Sequence, residues 1–484
     1  MTDLEAAGIP TVLIDLTEES GKVRHDAMLY GVPALRFVEA HRTMAGPEDV
    51  DRILGSVIDA LVRPLNDEEK KKGVWAPKEP RILFEGTLEE AEEFYSQTEN
   101  IPGILNAPFA RYTDGLPVTI PTEERVARML KGTSHKPDEL IRYQKDMEVR
   151  SINVISAGYS IKKGDEVRFM PMSRTATVEQ VAVNAVMAGC KPEYFPVVLA
   201  IAESGGGTGD GRGNGGAFMV SGPIYKEIGM NVSYGRFSPG NPPNKTIGRV
   251  GSLLWRNLGG YKESVSTIMT YGDPISNGGF IFAEYAEGLP PGWKGLNEEL
   301  GFKKDESVLM PLGIGGPLGQ WGIGQQHMPG VYRSLQKSGH GAIARFLDVK
   351  GKPGPHNYID FITDGIWRTM EGGFTLVLVP SMAMDLYNYG FKTKESVYEY
   401  IWKKSFEPVS RYRMRGMPDW TTNGWTSIER TSGKHWKELP DDYMVPAGGE
   451  GPNNYCIIVC DGQETASDRF AGGHGQSYSI DAWR

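Results

Sequence analysis

The apolar residues of this 484-residue chain recur in two different rhythms, and that alternation limits what it can fold into. Short continuous runs rich in β-branched and aromatic residues, at 9–14, 280–282, 374–379 and 455–459, read as buried strands. Between them lie stripes with helical spacing. Val50, Ile53, Leu54, Val57, Ile58 and Leu61 follow Gly46-Pro47 at i, i+3, i+4, i+7 and predict an amphipathic helix. Thr177-Val178-Glu179-Gln180 has capping-box spacing, and Val178, Val181, Ala182, Ala185 and Val186 supply a stripe that Gly189 ends. Residues 397–404 are helical in the same way. The expected fold class is therefore α/β.

With 39% hydrophobic residues the chain can bury a sizeable core, while 61 glycines and 32 prolines place much of it in loops. A net charge of −9 without a basic block leaves no electrostatic footprint for nucleic acid or an anionic membrane. No apolar run approaches the roughly 20 residues that span a bilayer. Met1-Thr2-Asp3-Leu4-Glu5 lacks the basic and apolar regions of a leader. Three cysteines in so long a chain make no disulfide framework, which fits a cytoplasmic, reducing compartment. The expected partners are a small-molecule substrate and other proteins.

The organisation divides into three parts. Residues 1–65 hold the run at 9–14, a second strand within 32–38 and the helix after Pro47. Two strands and one helix leave a sheet face uncovered, so this small α/β half-domain is incomplete. Residues 66–110 begin with a charged, then Pro-rich linker at 66–80 and continue into a short acidic helix at 87–95. Residues 111–484 form a larger mixed α/β domain. It opens with a turn at 112–117 and a helix from Pro121 to Gly132. Pro192 suits the first turn of a helix, and Pro196 kinks it or restarts it before 197–202. The glycine-rich stretch at 205–216 cannot pack a core. It lacks the G-x-x-x-x-G-K-[ST] pattern of a phosphate loop and reads as a lid or contact loop.

Two segments carry a family resemblance. Glu5-Ala6-Ala7-Gly8-Ile9-Pro10-Thr11-Val12, through about Leu61, is similar to the second half of the small UGSC-type (seleno)protein domain, named for a selenocysteine or cysteine followed by Gly, Ser and Cys. Thr113-Asp114-Gly115-Leu116-Pro117, Asn184-Ala185-Val186-Met187-Ala188-Gly189-Cys190-Lys191-Pro192-Glu193-Tyr194, Gly222-Pro223-Ile224 and Thr246-Ile247-Gly248-Arg249 resemble the large domain often encoded with, or fused to, that half. The resemblance implies a truncated UGSC-like half-domain joined to a large α/β domain, with thiol chemistry as the reaction type. The family's redox motif belongs before the strand at Gly8-Ile9-Pro10, where this chain has only seven residues. Either a second subunit supplies the missing half, or this branch has abandoned the chemistry; the incomplete sheet favours the subunit.

Several side chains are candidates for chemistry. Cys190 lies in a turn between two helix signals, with Lys191 and the following helix supplying positive potential and the preceding helix negative. It reads as a nucleophile or as an inert buried thiol. Cys456 and Cys460 would lie roughly 13 Å apart in one strand, too far for a mutual disulfide. They read as core residues, or as metal ligands only with help from His474. The eight histidines include no i, i+4 pair and no H-E-x-x-H. His340 and His474 sit in glycine-flanked loops that a ligand can approach. Arg249 is expected to begin a helix and either to grip a substrate carboxylate bidentately, with Asn244 also orienting the substrate, or to form a structural ion pair. Glu284 and Glu287, after the run at 280–283, offer a general base, hard-metal ligands, or simply solvated carboxylates.

The leading expectation is a subunit of a heteromeric enzyme that cleaves or reduces a carbon–heteroatom bond of a small anionic substrate. Cys190 supplies the thiol, His474 and Glu284 move protons, and Arg249, Asn244 and His340 bind. The alternatives are a metal-dependent lyase or hydrolase with His and Glu ligands, and a non-catalytic scaffold subunit. No motif implies a cofactor, and the sequence leaves open whether a metal is bound.

Overall fold

The computed structural model describes residues 9–16, 27, 35–40, 47–67, 69–70, 80–101, 107–149, 159–170, 172, 174–205, 217–262, 280–312, 356–363, 373–410, 429, 432–435, 438–446, 451–462 and 467–484. His340, the glycine-rich stretch from 206 to 216 and most of the expected linker lie outside the described residues.

The N-terminal unit pairs β1 (Leu13–Leu16) in parallel with β2 (Phe37–Ala40), and α1 (Pro47–Val62) packs on β2. Pro47 opens α1 as expected. Of its last carbonyls, which need donors, Ala60 O accepts from the Arg36 guanidinium at 2.6 Å, and the same group reaches Arg63 O at 2.6 Å and Pro64 O at 3.0 Å just past the helix. Glu69 holds Arg36 in place with contacts of 2.9 and 3.0 Å. Val50, Leu54, Ile58 and Val62, spaced by four, stay exposed along α1. Next come α2 (Leu88–Tyr95), opened by a Thr87–Glu90 capping box, and the antiparallel pair β3 (Thr98–Asn100) and β4 (Pro108–Ala110).

The main body starts with α3 (Glu123–Met129), which tightens into a 3₁₀ turn ending at Gly132. The antiparallel pair β5 (Met147–Val149) and β6 (Tyr159–Ile161) follows. Thr177 and Gln180 form the expected capping box of α4 (Val178–Met187), and Gly189 beyond it has φ +83°. Pro192 starts a 3₁₀ turn, and Pro196 restarts the chain as α5 (Phe195–Glu203), every residue of which is buried.

Two sheets then assemble from distant segments. The first contains β7 (Ala217–Ser221), β8 (Phe280–Ala283), β9 (Val308–Leu312) and a late strand, with β7 and β8 parallel. Between its strands the chain forms α6 (Ile224–Glu227), α7 (Pro242–Asn257) and α8 (Leu296–Glu299). The second sheet follows α9 (Tyr358–Thr363). It is centred on β10 (Phe374–Leu378), from which the chain continues into α10 (Pro380–Asn388) and α11 (Lys394–Lys404). A small pair, β11 (Phe406–Pro408) and β12 (Met444–Pro446), precedes β13 (Tyr455–Val459), parallel to β10, and β14 (Ser467–Ala471), antiparallel to it. The last strand, β15 (Tyr478–Ser479), returns to β9 of the first sheet.

Strand alternation explains how these elements stack. In the first sheet Phe218, Val220, Ile281 and Leu309 face α4, α5 and α7, while Met219, Phe282 and Met310 face the second sheet. In the second sheet Val377, Cys456, Ile458 and Phe470 meet them, while Leu376, Tyr455 and Ile457 face α10 and α11. The result is helices, sheet, sheet and helices in four layers, an α/β fold in which strands buried on both faces read as continuous apolar runs. Cys456 and Cys460 are fully buried in the core, and Cys460 Sγ donates to Ala283 O at 3.4 Å. Among the described residues no helix is long and apolar enough to cross a membrane.

Candidate functional site

The parallel pair β7 and β8 ends at Ser221 and Ala283, and the next residue, Glu284, extends the pairing by donating its N–H to Val220 O at 2.9 Å. This carboxyl end of parallel strands is where α/β sheets collect polar function. Glu284 is 1% exposed, so it is not the solvated carboxylate that its place after a strand allowed. Its Oε2 accepts from Ser221 Oγ and from Leu296 N, both at 2.7 Å, and its Oε1 from Lys394 Nζ at 3.2 Å.

Lys394 joins Glu284 to a second carboxylate. Its Nζ lies 2.8 Å from Glu299 Oε2, and Tyr398 OH donates to Glu299 Oε1 at 2.9 Å. Ile457 N of β13 donates in turn to the Tyr398 hydroxyl at 3.0 Å. The side chains of Lys394, Glu284 and Glu299 are 1%, 0% and 4% exposed. Burial opposes the Lys394 charge, but the two carboxylates outweigh it and hold its pKa above the ordinary lysine value. Burial raises Glu299, with Lys394 pulling against it and Glu284 adding to it. One ammonium between two ionised carboxylates leaves a single excess negative charge, which is why burial and Glu284 push Glu299 up while Lys394 pulls it down.

His474 stands at the edge of this network. Gly473 lets its loop lie against the Asn454 carbonyl, which any side chain there would strike. The imidazole Nδ1 is 3.3 Å from Asn453 O, an acceptor, which assigns the ring proton to Nδ1. Nε2 is buried without a hydrogen-bond partner among the described residues, 3.9 Å from Glu299 Oε1, and the ring meets Tyr398 edge-on at 5.3 Å. Burial, then the Lys394 charge, lowers the His474 pKa to about 4, so the ring is neutral at pH 7 with its Nε2 lone pair bare. The fold thus brings together two expected proton carriers, Glu284 and His474, 190 positions apart, through Lys394 and Glu299, which sequence reasoning missed. A signal existed: Lys394, Val397, Tyr398 and Ile401 occupy i, i+3, i+4 and i+7 of α11, and all four are buried. A lysine on an apolar stripe marks a buried charge needing partners.

The other candidates lie elsewhere. Cys190 is half-buried against the helical core, with the Thr246 hydroxyl and Arg249 as its polar neighbours. Burial pushes its thiol up to about 12, against the smaller opposing effects of those neighbours. Relative to an ordinary thiol its thiolate fraction at neutral pH falls by roughly 10³. Iodoacetamide at pH 7 is therefore expected to leave Cys190 largely unmodified while exposed reference thiols react, as intact mass would show. Rapid alkylation would overturn that reading.

Arg249 does not begin its helix. α7 starts at Pro242 behind the Asn241 cap, and Arg249 sits in its middle. It does grip a carboxylate bidentately, but that carboxylate is the chain's own Asp114, with Nε and Nη2 both at 2.8 Å. Its Nη2 also reaches Leu116 O and Pro117 O at 3.2 and 2.9 Å. Asn244 is 2% exposed, and its amide is engaged by Asn231 and by the Arg236 carbonyl, so it builds the 231–236 turn rather than facing a ligand. Glu287 binds Tyr225 OH and the Lys226 ammonium. Among the described residues no three His, Cys, Asp or Glu side chains converge as a metal site.

No family model matches this sequence, and comparison with curated proteins and with solved structures finds no match either.

Proposed function

We propose that this chain is an enzyme, or the active subunit of one, that moves a proton on a small-molecule substrate, with His474 Nε2 as the base and Glu299 as its proton-sharing partner. One observation carries the reading: a neutral imidazole with a bare, buried Nε2 stands beside a carboxyl that Lys394 and Tyr398 hold in place, with Glu284 on the same ammonium. Two carboxyls and an ammonium cost more to bury than apolar side chains of equal volume, and titratable groups perturbed by burial and by specific charge partners collect at functional sites. Glu284 and Lys394 serve as positioning residues. Lys394 holds both carboxyls and adds to the burial that keeps His474 unprotonated.

The test is a thermal-shift screen of small carboxylic acids, amino acids and phosphate esters against the wild type, His474→Ala and Glu299→Gln. A compound that raises the melting temperature of the wild type but of neither variant is expected. A panel without effect, or equal shifts in His474→Ala, would remove the proposal.

Thiol-dependent cleavage or reduction of a carbon–heteroatom bond at Cys190 is the second reading, favoured by the Thr246 hydroxyl and Arg249 charge beside the sulfur and opposed by its burial. In either reading the N-terminal unit supports a heteromeric assembly. A two-stranded parallel sheet with one helix, carrying exposed Ile14 on β1 and the α1 stripe, gains most from a second subunit that covers it.

A further inference from the structure

We propose that Ser477 and Lys145 form a serine–lysine nucleophile pair, separate from the His474 network, that attacks the carbonyl carbon of a small carboxylic ester. Lys145 Nζ lies 2.9 Å from Ser477 Oγ, across 332 positions of sequence. A lysine head group ordinarily sits in water or against a carboxylate. This one forms no carboxylate ion pair among the described residues and is covered by the Phe302 ring, 4.6 Å from Nζ to the centroid. Ser477 is 5% exposed, and Lys145 is half-buried, so a reactant reaches the pair from the lysine side.

The surroundings fit the role. Burial lowers the Lys145 pKa, with the nearby Glu203 charge opposing it, which favours a neutral amine able to accept a proton. Glu203 also accepts from Gln144 N at 2.8 Å and so fixes the backbone next to Lys145. Two residues before Ser477, the Gly475 N–H donates, among the described residues, only to the Met310 thioether, at 3.3 Å. Sulfur is a weak acceptor, and an oxyanion formed on the substrate would displace it.

In the reaction the neutral Lys145 amine takes the Ser477 hydroxyl proton as Oγ bonds to the acyl carbon. The same proton passes to the departing alkoxide, leaving an ester on Ser477. Water then attacks that ester, giving a proton through Lys145 to the Ser477 oxygen as the acid is released. No oxidant or reductant is needed, and the pair starts and ends unchanged.

The experiment treats the full chain with a fluorophosphonate probe and maps the adduct by mass spectrometry in the wild type, Ser477→Ala, Lys145→Met and Lys145→Arg. The adduct is expected on Ser477, absent in Ser477→Ala, and formed at least about 100-fold more slowly in both lysine variants. In the wild type its rate should rise with pH as Lys145 loses its proton. Lys145→Arg keeps the charge and the hydrogen bond, so a merely structural lysine would tolerate it. Circular dichroism and melting temperature establish that each variant is folded. A folded wild type that is unlabelled or labelled on another residue, or a Lys145→Arg variant labelled at the wild-type rate, would overturn the assignment. None of these results depends on His474, whose own proposal stands or falls in the thermal-shift screen.

Discussion

Replacing Lys394 by methionine is expected to lower the unfolding free energy by about 3–5 kcal/mol, a large part of the total for an ordinary domain. The side chain is 1% exposed and is the shared cation of two carboxyls that are themselves 0% and 4% exposed. Methionine fills similar volume, so the loss measures charge rather than a cavity. Without the ammonium, Glu284 keeps its Ser221 and Leu296 donors and Glu299 keeps Tyr398, but both must stay buried without their counter-charge or take up protons. Adding Glu284→Gln and Glu299→Gln to the methionine variant is expected to restore part of the stability, because uncharged partners no longer need it. Urea denaturation followed by circular dichroism measures both. A loss below about 1 kcal/mol in the single variant would show that the network is not held by Lys394. The same variant should raise the His474 pKa from about 4 towards its ordinary value, since the Lys394 charge helps to depress it.

Trp483→Ala should cost about as much, roughly 3–5 kcal/mol, for a different reason. The indole is fully buried, lies tilted with its ring centre 4.6 Å from that of His135, and donates from Nε1 to Glu203 Oε2 at 2.7 Å. Trp483→Phe keeps most of the apolar area and removes only the donor. Its cost of about 1–3 kcal/mol should depend on pH. Burial raises the Glu203 pKa to about 7 in the folded chain, against the ordinary 4.5, while Gln144 N and Trp483 hold it down. A folded-state pKa above the unfolded one means that this group's contribution falls as pH rises from about 4.5 to 7. Removing the Trp483 donor raises that pKa further, so the penalty in Trp483→Phe grows between pH 6 and pH 8. His474 works in the opposite sense: its folded pKa of about 4 lies below the ordinary 6.5, so its contribution is lost as pH falls through that window. Melting curves of the wild type and Trp483→Phe at both pH values separate the two effects. An equal difference at pH 6 and pH 8 would contradict the Glu203 assignment.

The elements that form as expected are those whose signal is local. The α1 stripe after Pro47, the Thr177–Gln180 box, the restart at Pro196 and the runs that become β8, β10 and β13 each depend on residues within a few turns of one another. Periodicity states which face of an element is apolar, and capping chemistry states where it starts. Arg249 marks where such reasoning stops. Its capacity for a bidentate grip was legible, but its carboxylate, Asp114, stands 135 positions away, and no spacing rule connects them.

By itself, then, the sequence determined the α/β class, the helices with capping or periodic signals, the strands β8, β10 and β13, and the core placement of Cys456 and Cys460, while β7 and β9 at the centre of the first sheet carried no signal that it read. Only the tertiary structure decided that the two sheets stack between helical layers, that Glu284 is buried against Lys394 and Glu299, and that Lys145 meets Ser477. The reason is physical: helical and strand preferences act between neighbours along the chain, whereas the field that sets a buried carboxyl's proton or a lysine's charge comes from groups joined only when distant segments close together.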